Sequence, residues 1–122
     1  FYHMVTEGAL VMILLFLFIT GQVITNFASN AVKYTTQGGT IRVRLQREDK
    51  YARFSIENDA PHFSDEALEQ VWETFYRADT ARDRSGTGLG LAIAKNIIEL
   101  HRGSCRVRNT KNGVEFSFRV PI

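Results

Sequence analysis

Two clusters of residues in this chain have the types and spacing to hold a phosphate-bearing ligand. Asn26-Phe-Ala-Ser-Asn30-Ala-Val-Lys33-Tyr34 sets two carboxamides, an ammonium and a phenol one turn apart, on one face of a helix. Further along, Gly86-Thr87-Gly88-Leu89-Gly90 runs straight into the helical sequence Leu-Ala-Ile93. Glycines let a backbone approach a polyphosphate, and the positive end of the helix behind them favours negative charge. A Mg²⁺ ion carrying phosphates takes few protein oxygens and keeps several waters. The Asn30 carbonyl meets that need without adding charge, and Lys33 can neutralise phosphate oxygens. Taken singly, the first cluster is equally a solvated polar helix face and the second a hinge before a core helix. Together they point to a nucleotide held between a magnesium-binding helix and a phosphate-binding helix start. No parallel βαβ pattern precedes the glycines and no lysine follows them, which excludes a dinucleotide fold and a P-loop.

The elements that must position these residues can be read from periodicity. At 122 residues the chain supports one domain, 1–122, with its own core. A net charge of +2 and no sustained basic stripe argue against nucleic acid. The single cysteine, Cys105, reads as a small buried hydrophobe in a reducing compartment. Ala9 to Ile19 is an unbroken apolar run, shorter than the ~20 residues a membrane span needs. It also lacks the basic flank and cleavage site of a signal peptide, so it reads as a buried strand running into a buried helix start. Phe16 to Lys33 reads as a helix with Ile24, Phe27 and Ala31 inward, stopped by Gln37-Gly-Gly39.

Ile41, Val43 and Leu45 then alternate with polar residues, the pattern of a half-buried strand, and Ala52, Phe54 and Ile56 repeat it after a turn at Glu48-Asp-Lys50. Strand phase puts Asn58 on the buried side and Asp59 on the other. Ser64 is a candidate N-cap before a short helix with a stripe of Leu68, Val71, Trp72 and Phe75. Arg77 to Ser85 is polar and aperiodic, a loop. Leu89, Ile93, Asn96, Ile97 and Leu100 mark an amphipathic helix ended by His101-Arg-Gly103. A hairpin closes the chain, with Cys105, Val107, Val114, Phe116, Phe118 and Val120 inward around an Asn112-Gly113 turn. The class is α+β, a mostly antiparallel mixed sheet with helices on one face.

Asn26-x-x-x-Asn30-Ala-x-Lys33-Tyr34, Phe75-Tyr-Arg77-Ala-Asp79 and Gly86-x-Gly88-Leu-Gly90-Leu-Ala-Ile-Ala-Lys-x-Ile-Ile-Glu-Leu-His101 occur in that order. With them the chain resembles the catalytic ATP-binding domain of sensor histidine kinases, which has the Bergerat α/β sandwich fold. The Glu57-Asn58 strand end and the short loop after Phe75 look most like the VanS-type kinases of glycopeptide-resistance systems. The resemblance implies ATP and Mg²⁺ as cofactors. It implies that Asn30 coordinates Mg²⁺, Lys33 contacts phosphate, Tyr34 flanks the nucleotide and Asn26 supports the phosphate or metal side. It further makes Arg77 a phosphate contact at the start of an ATP lid, and residues Gly86, Thr87, Gly88, Leu89 and Gly90 the glycine box. The parent would be a membrane-anchored, homodimeric bacterial kinase with this domain in the cytoplasm. Its partners would be its own dimerisation and phosphoacceptor domain and, indirectly, a response regulator.

The chain departs from that pattern in three places. The family's Asp-x-Gly-x-Gly box stands here as Asn58-Asp-Ala60-Pro-His62, so the residue facing the adenine amino group is an amide. An amide accepts through oxygen and donates through nitrogen, but a charge-assisted bond is roughly twice as strong. The segment 1–20 is shorter and more apolar than the family's, so the sheet would lack a strand and carry an uncovered apolar edge. No phosphoacceptor His-Glu-x-x-Arg occurs, so no catalytic nucleophile lies in this chain. Gyrase-type ATPases of the same fold carry a glutamate one turn before the metal asparagine. Here that position is Asn26, which favours a kinase. A serine kinase of the anti-sigma type and a nucleotide-binding module without activity are the alternatives.

Overall fold

In the computed structural model, residues 10, 17, 21–73 and 90–122 are described. Four strands form one sheet: β1 (Ile41–Glu48), β2 (Tyr51–Asp59), β3 (Ser104–Asn109) and β4 (Gly113–Pro121). Their order is β1-β2-β4-β3 and every pairing is antiparallel. The β1–β2 hairpin is tight, with Glu48 opposite Tyr51 and Asp49 at φ 55°, a left-handed conformation that aspartate tolerates. Three helical segments accompany the sheet: α1 (residues 21–34), α2 (Asp65–Gln70) and α3 (Gly90–Leu100). As the sequence predicts, Ser64 caps α2 by accepting a hydrogen bond from the Ala67 amide.

Phe27 sits at the centre of the core, 1% exposed. Its ring lies 5.7 Å from Phe118, 6.0 Å from Phe116, 6.1 Å from Trp72 and 6.5 Å from Phe54. Val23 and Ala31, one turn to either side, complete the buried stripe of α1. Val71, Ala94 and Ile98 bring α2's end and α3 onto the same layer. Alternation in β2 and β4 directs Phe54, Ile56, Val114, Phe116 and Phe118 into it.

Three expectations are corrected. Ile41, Val43 and Leu45 share the register of the core face but are 36%, 59% and 76% exposed. β1 is an edge strand, and the helices that bury β2 and β4 do not shield it. In α3 the buried stripe is Ala94 and Ile98, with Leu91 and Ile97 packed beside it, while Ile93 and Leu100 face outward. The helix carries two apolar stripes, and the one with the smaller residues is the one that meets the sheet. Leu10 is helical and 56% exposed, so there the apolar run is not a buried strand, and Leu17 is helical as expected but 59% exposed, so the helix start is not buried at that point. Continuous apolar sequence does not distinguish a strand from a helix. The remainder of that run, and Phe75, lie outside the described residues.

These environments predict unequal costs of truncation. Phe27→Ala should lose about 3–5 kcal/mol of unfolding free energy, whereas Leu45→Ala should stay within about 0.5 kcal/mol. Urea unfolding of the two variants measures this, and similar losses would contradict the assignment of the core.

Candidate nucleotide site

The burial of Val23, Phe27 and Ala31 orients the rest of α1. Asn26 and Asn30 lie half-buried on one flank of that stripe, with Lys33 and Tyr34 a turn further on. The Lys33 Nζ is 5.8 Å from the centre of the Tyr34 ring, a cation–π arrangement. Asn26 donates its Nδ2–H to the carbonyl of Gly90 at 3.2 Å. That bond joins the asparagine cluster to the first residue of α3, where the glycine box meets its helix. A side chain at Gly90 would begin 3.8 Å from Asn26 Cγ, an ordinary contact. Space against α1 therefore does not require glycine there. Arg77, Gly86, Thr87, Gly88 and Leu89 lie outside the described residues.

Asn58 is 3% exposed, on the helix-covered side of β2 as its strand phase predicts. It stands opposite Ile41 in β1 and Val114 in β4. Its carboxamide makes no hydrogen bond among the described residues, and an amide can both accept and donate. The neighbouring strand crosses closely at this point. A Cβ on Gly113 would lie 1.9 Å from the Asn58 carbonyl oxygen, so only glycine fits there.

Asp59 faces away and is engaged in closing the end of the strand. Its carboxylate accepts from the Thr40 amide at 3.0 Å and from Arg42 Nη1 at 3.0 Å. Its backbone carbonyl accepts from the Thr36 amide at 2.8 Å. The Thr40 amide first, and Arg42 second, hold the Asp59 carboxyl below the usual carboxylate range. Asp59 is thus committed to the side of the sheet opposite Asn58.

Residues 60–64, where the family has glycines, are fastened to the β3–β4 hairpin. Asn109 clamps Phe63, its Oδ1 accepting from the Phe63 amide at 2.8 Å and its Nδ2 donating to the Phe63 carbonyl at 2.9 Å. His62 Nε2 lies 2.6 Å from the Thr110 carbonyl oxygen, a loop histidine as the sequence predicts. The Asn109 clamp was not legible in sequence, because its partner is 46 residues away. Burial pushes the Cys105 thiol up to about 12, with Glu99 adding to the shift. A thiol so protonated is no nucleophile. Among the described residues no helix is long and apolar enough to cross a membrane.

A depressed Asp59 pKa stabilises the fold above the unfolded-state value and stops doing so as pH falls through the folded value. Asp59→Asn should therefore be less stable than the parent at neutral pH, and the gap should close in acid below the usual carboxylate range. Urea midpoints across a pH series read this directly. A gap that stays constant with pH would contradict it.

The sequence and the fold both have relatives. Residues 19–122 match the family described as histidine kinase-, DNA gyrase B- and HSP90-like ATPase. The signal transduction histidine-protein kinase BaeS of Escherichia coli (strain K12) is 35% identical over 104 residues, 83% of this chain and 22% of that protein. The mycobacterial sensor histidine kinase MprB superposes with a TM-score of 0.75 at 32% identity, covering 83% of this chain and 70% of that one. Full-length ShkA, solved in complex with AMPPNP, gives a TM-score of 0.73 at 31% identity over 84% of this chain and 21% of that one. The chain thus spans about a fifth of the length of the curated relatives it matches. On the matched residues 19–122, the shared sandwich fold and the likeness to MprB, this chain belongs to the histidine kinase-, DNA gyrase B- and HSP90-like ATPase family, among the sensor histidine kinases.

Proposed function

We propose that this domain binds ATP with Mg²⁺ and presents the γ-phosphate to a histidine on a separate dimerisation domain of its parent kinase, for onward transfer to a response regulator. The observation that carries this is Asn58, an almost wholly buried amide with no hydrogen bond among the described residues. Its carbonyl can accept from the adenine amino group and its NH₂ can donate to a ring nitrogen. The Asn26–Gly90 bond supports the rest, since it sets α1 beside the start of α3, at the two sides of the phosphate.

In this reading Asn30 holds the metal through its carbonyl oxygen, and Lys33 and Arg77 neutralise phosphate oxygens. Gly86, Thr87, Gly88, Leu89 and Gly90 offer backbone amides, and Tyr34 flanks the nucleotide. Magnesium, when bound, supplies charge neutralisation and alignment of the phosphates, which is most of what phosphoryl transfer requires. Asn26 stands one turn before Asn30, where activation of water would need a carboxylate, and an amide cannot take up a proton. That favours transfer to a partner side chain over hydrolysis.

The parent is read as a membrane-anchored homodimer with this domain, 1–122, in the cytoplasm and its first twenty residues atypical. The narrower likeness to VanS-type resistance kinases rests on Glu57-Asn58 and the loop after Phe75. The relatives named above are sensor histidine kinases and lend nothing to the serine-kinase alternative. A nucleotide-binding module without activity is the second reading. It is favoured by the Asn109 and His62 contacts that fasten residues 60–64, where the family has flexible glycines.

Calorimetric titration with AMPPNP tests the site. Saturable binding that tightens with Mg²⁺ is expected, together with phosphorylation of a supplied histidine hairpin when ATP replaces the analogue. Asn30→Ala should bind equally with and without Mg²⁺. Asn58→Asp should tighten binding about fivefold, the difference between a neutral and a charged hydrogen bond. Absent binding, or full Mg²⁺ dependence in Asn30→Ala, would overturn the assignment. Binding without transfer would support the second reading.

A further inference from the structure

The sheet face turned away from the helices gathers arginines that the sequence keeps apart. Strand phase and register place Arg42, Arg44, Arg53, Arg106, Arg108 and Arg119 on that face, with Glu48, Glu57, Asp59 and Glu115. Six cations less four anions leave +2, the net charge of the whole chain, so the remainder is balanced. All six cations are arginine and none is lysine, which favours planar, bidentate binding of carboxylates.

The carboxylates of this face lie toward the two ends of the strands, with rungs between them that carry none. Arg42 is held by Asp59 and Glu57, and Arg108 by Glu115, at one end. The next two rungs read Arg44–Ser55–Ser117–Arg106 and Gln46–Arg53–Arg119–Ser104 across the sheet and contain no carboxylate. Arg53 reaches Glu48 at 2.7 Å and Ser117 Oγ at 3.3 Å, and Arg119 stacks on Tyr51 at 4.4 Å. Arg44 and Arg106 have no ion-pair partner among the described residues. Ser55 and Ser117, at the middle of their rung, are 7% and 1% exposed although no described helix covers them. The Arg53 guanidinium lies over Ser117, as its bond to that hydroxyl shows. The patch is flat and roughly 15 Å wide, three strand spacings.

We propose that this face docks an acidic surface of a partner protein, with carboxylates received by Arg44, Arg106 and Arg119. Protein carboxylates fit better than a phosphate chain for two reasons. The patch is flat, with no groove to follow a backbone, and Glu57 and Glu115 on the adjoining rung repel a phosphate chain that continues past it. The site is separate from the nucleotide pocket, on the opposite side of the sheet, so it stands or falls independently of it.

The probe is fluorescently labelled poly-L-glutamate, titrated against the full 122-residue chain at low and physiological salt. Saturable, salt-sensitive binding is expected. Arg44→Gln/Arg106→Gln should weaken it about tenfold, from two exposed charge pairs. Arg47→Gln/Lys111→Gln, with equal charge loss off this face, should change it less than about twofold. Unfolding curves check that each variant is folded, and Arg119→Gln serves as the independent second variant. Equal weakening by both double variants, or no binding, would overturn the proposal. So would tighter binding to phosphatidylserine vesicles or duplex DNA that the Arg44/Arg106 pair controls.

Discussion

Packing of Phe27 against four aromatic rings fixes how α1 lies on the sheet, and the polar site depends on that orientation. With 3.6 residues per turn, placing Phe27 and Ala31 inward leaves Asn26, Asn30 and Lys33 no choice but one flank of the same helix. Rotation of α1 by a single residue would bury an asparagine and expose the phenylalanine, at a cost of several kcal/mol on both counts. The core therefore does more than hold the domain together. It aims a row of uncharged oxygen donors along one side of the helix, and the Asn26–Gly90 bond sets α3 beside them.

On the sheet, two adjacent residues divide the work between them. Alternation along β2 sends Asn58 under the helices and Asp59 to the open face. Asp59 then ties the strand end to Thr36, Thr40 and Arg42. Its charge is stabilised where it stands, so the pocket-side position is left to a neutral amide. In the proposed site, recognition by Asn58 would rest on hydrogen-bond geometry and not on charge. The close passage of Gly113 over Asn58 holds the backbone in place.

Much of this was legible from spacing alone. The Asn26–Tyr34 helix face, the alternation of β2 and β4, the Ser64 cap and the burial of Asn58 follow from local periodicities that need no tertiary information. What was not legible depends on neighbours. The exposure of Val43 and Leu45 follows from β1 being at the sheet edge, which an alternating pattern does not encode. The inward stripe of α3 was misread because Leu91, Ala94 and Ile98 compete with Ile93 and Leu100 in the same helix. The Asn109 clamp on Phe63 and the arginine rungs both join residues far apart in the chain. The arginines in particular form no basic run, which is why charge patterning along the chain argues only against nucleic acid and does not reveal this face.

The most direct test of the proposed nucleotide site is an NMR titration that follows the side-chain amides as AMPPNP and Mg²⁺ are added. The proposed site requires that the Asn26, Asn30 and Asn58 amides shift together and saturate at one concentration, while the Gln46 amide, on the opposite face of the sheet, stays still. Shifts confined to α1 with Asn58 unmoved, or a response centred on Gln46 and the arginine face, would contradict the assignment of the nucleotide to this site.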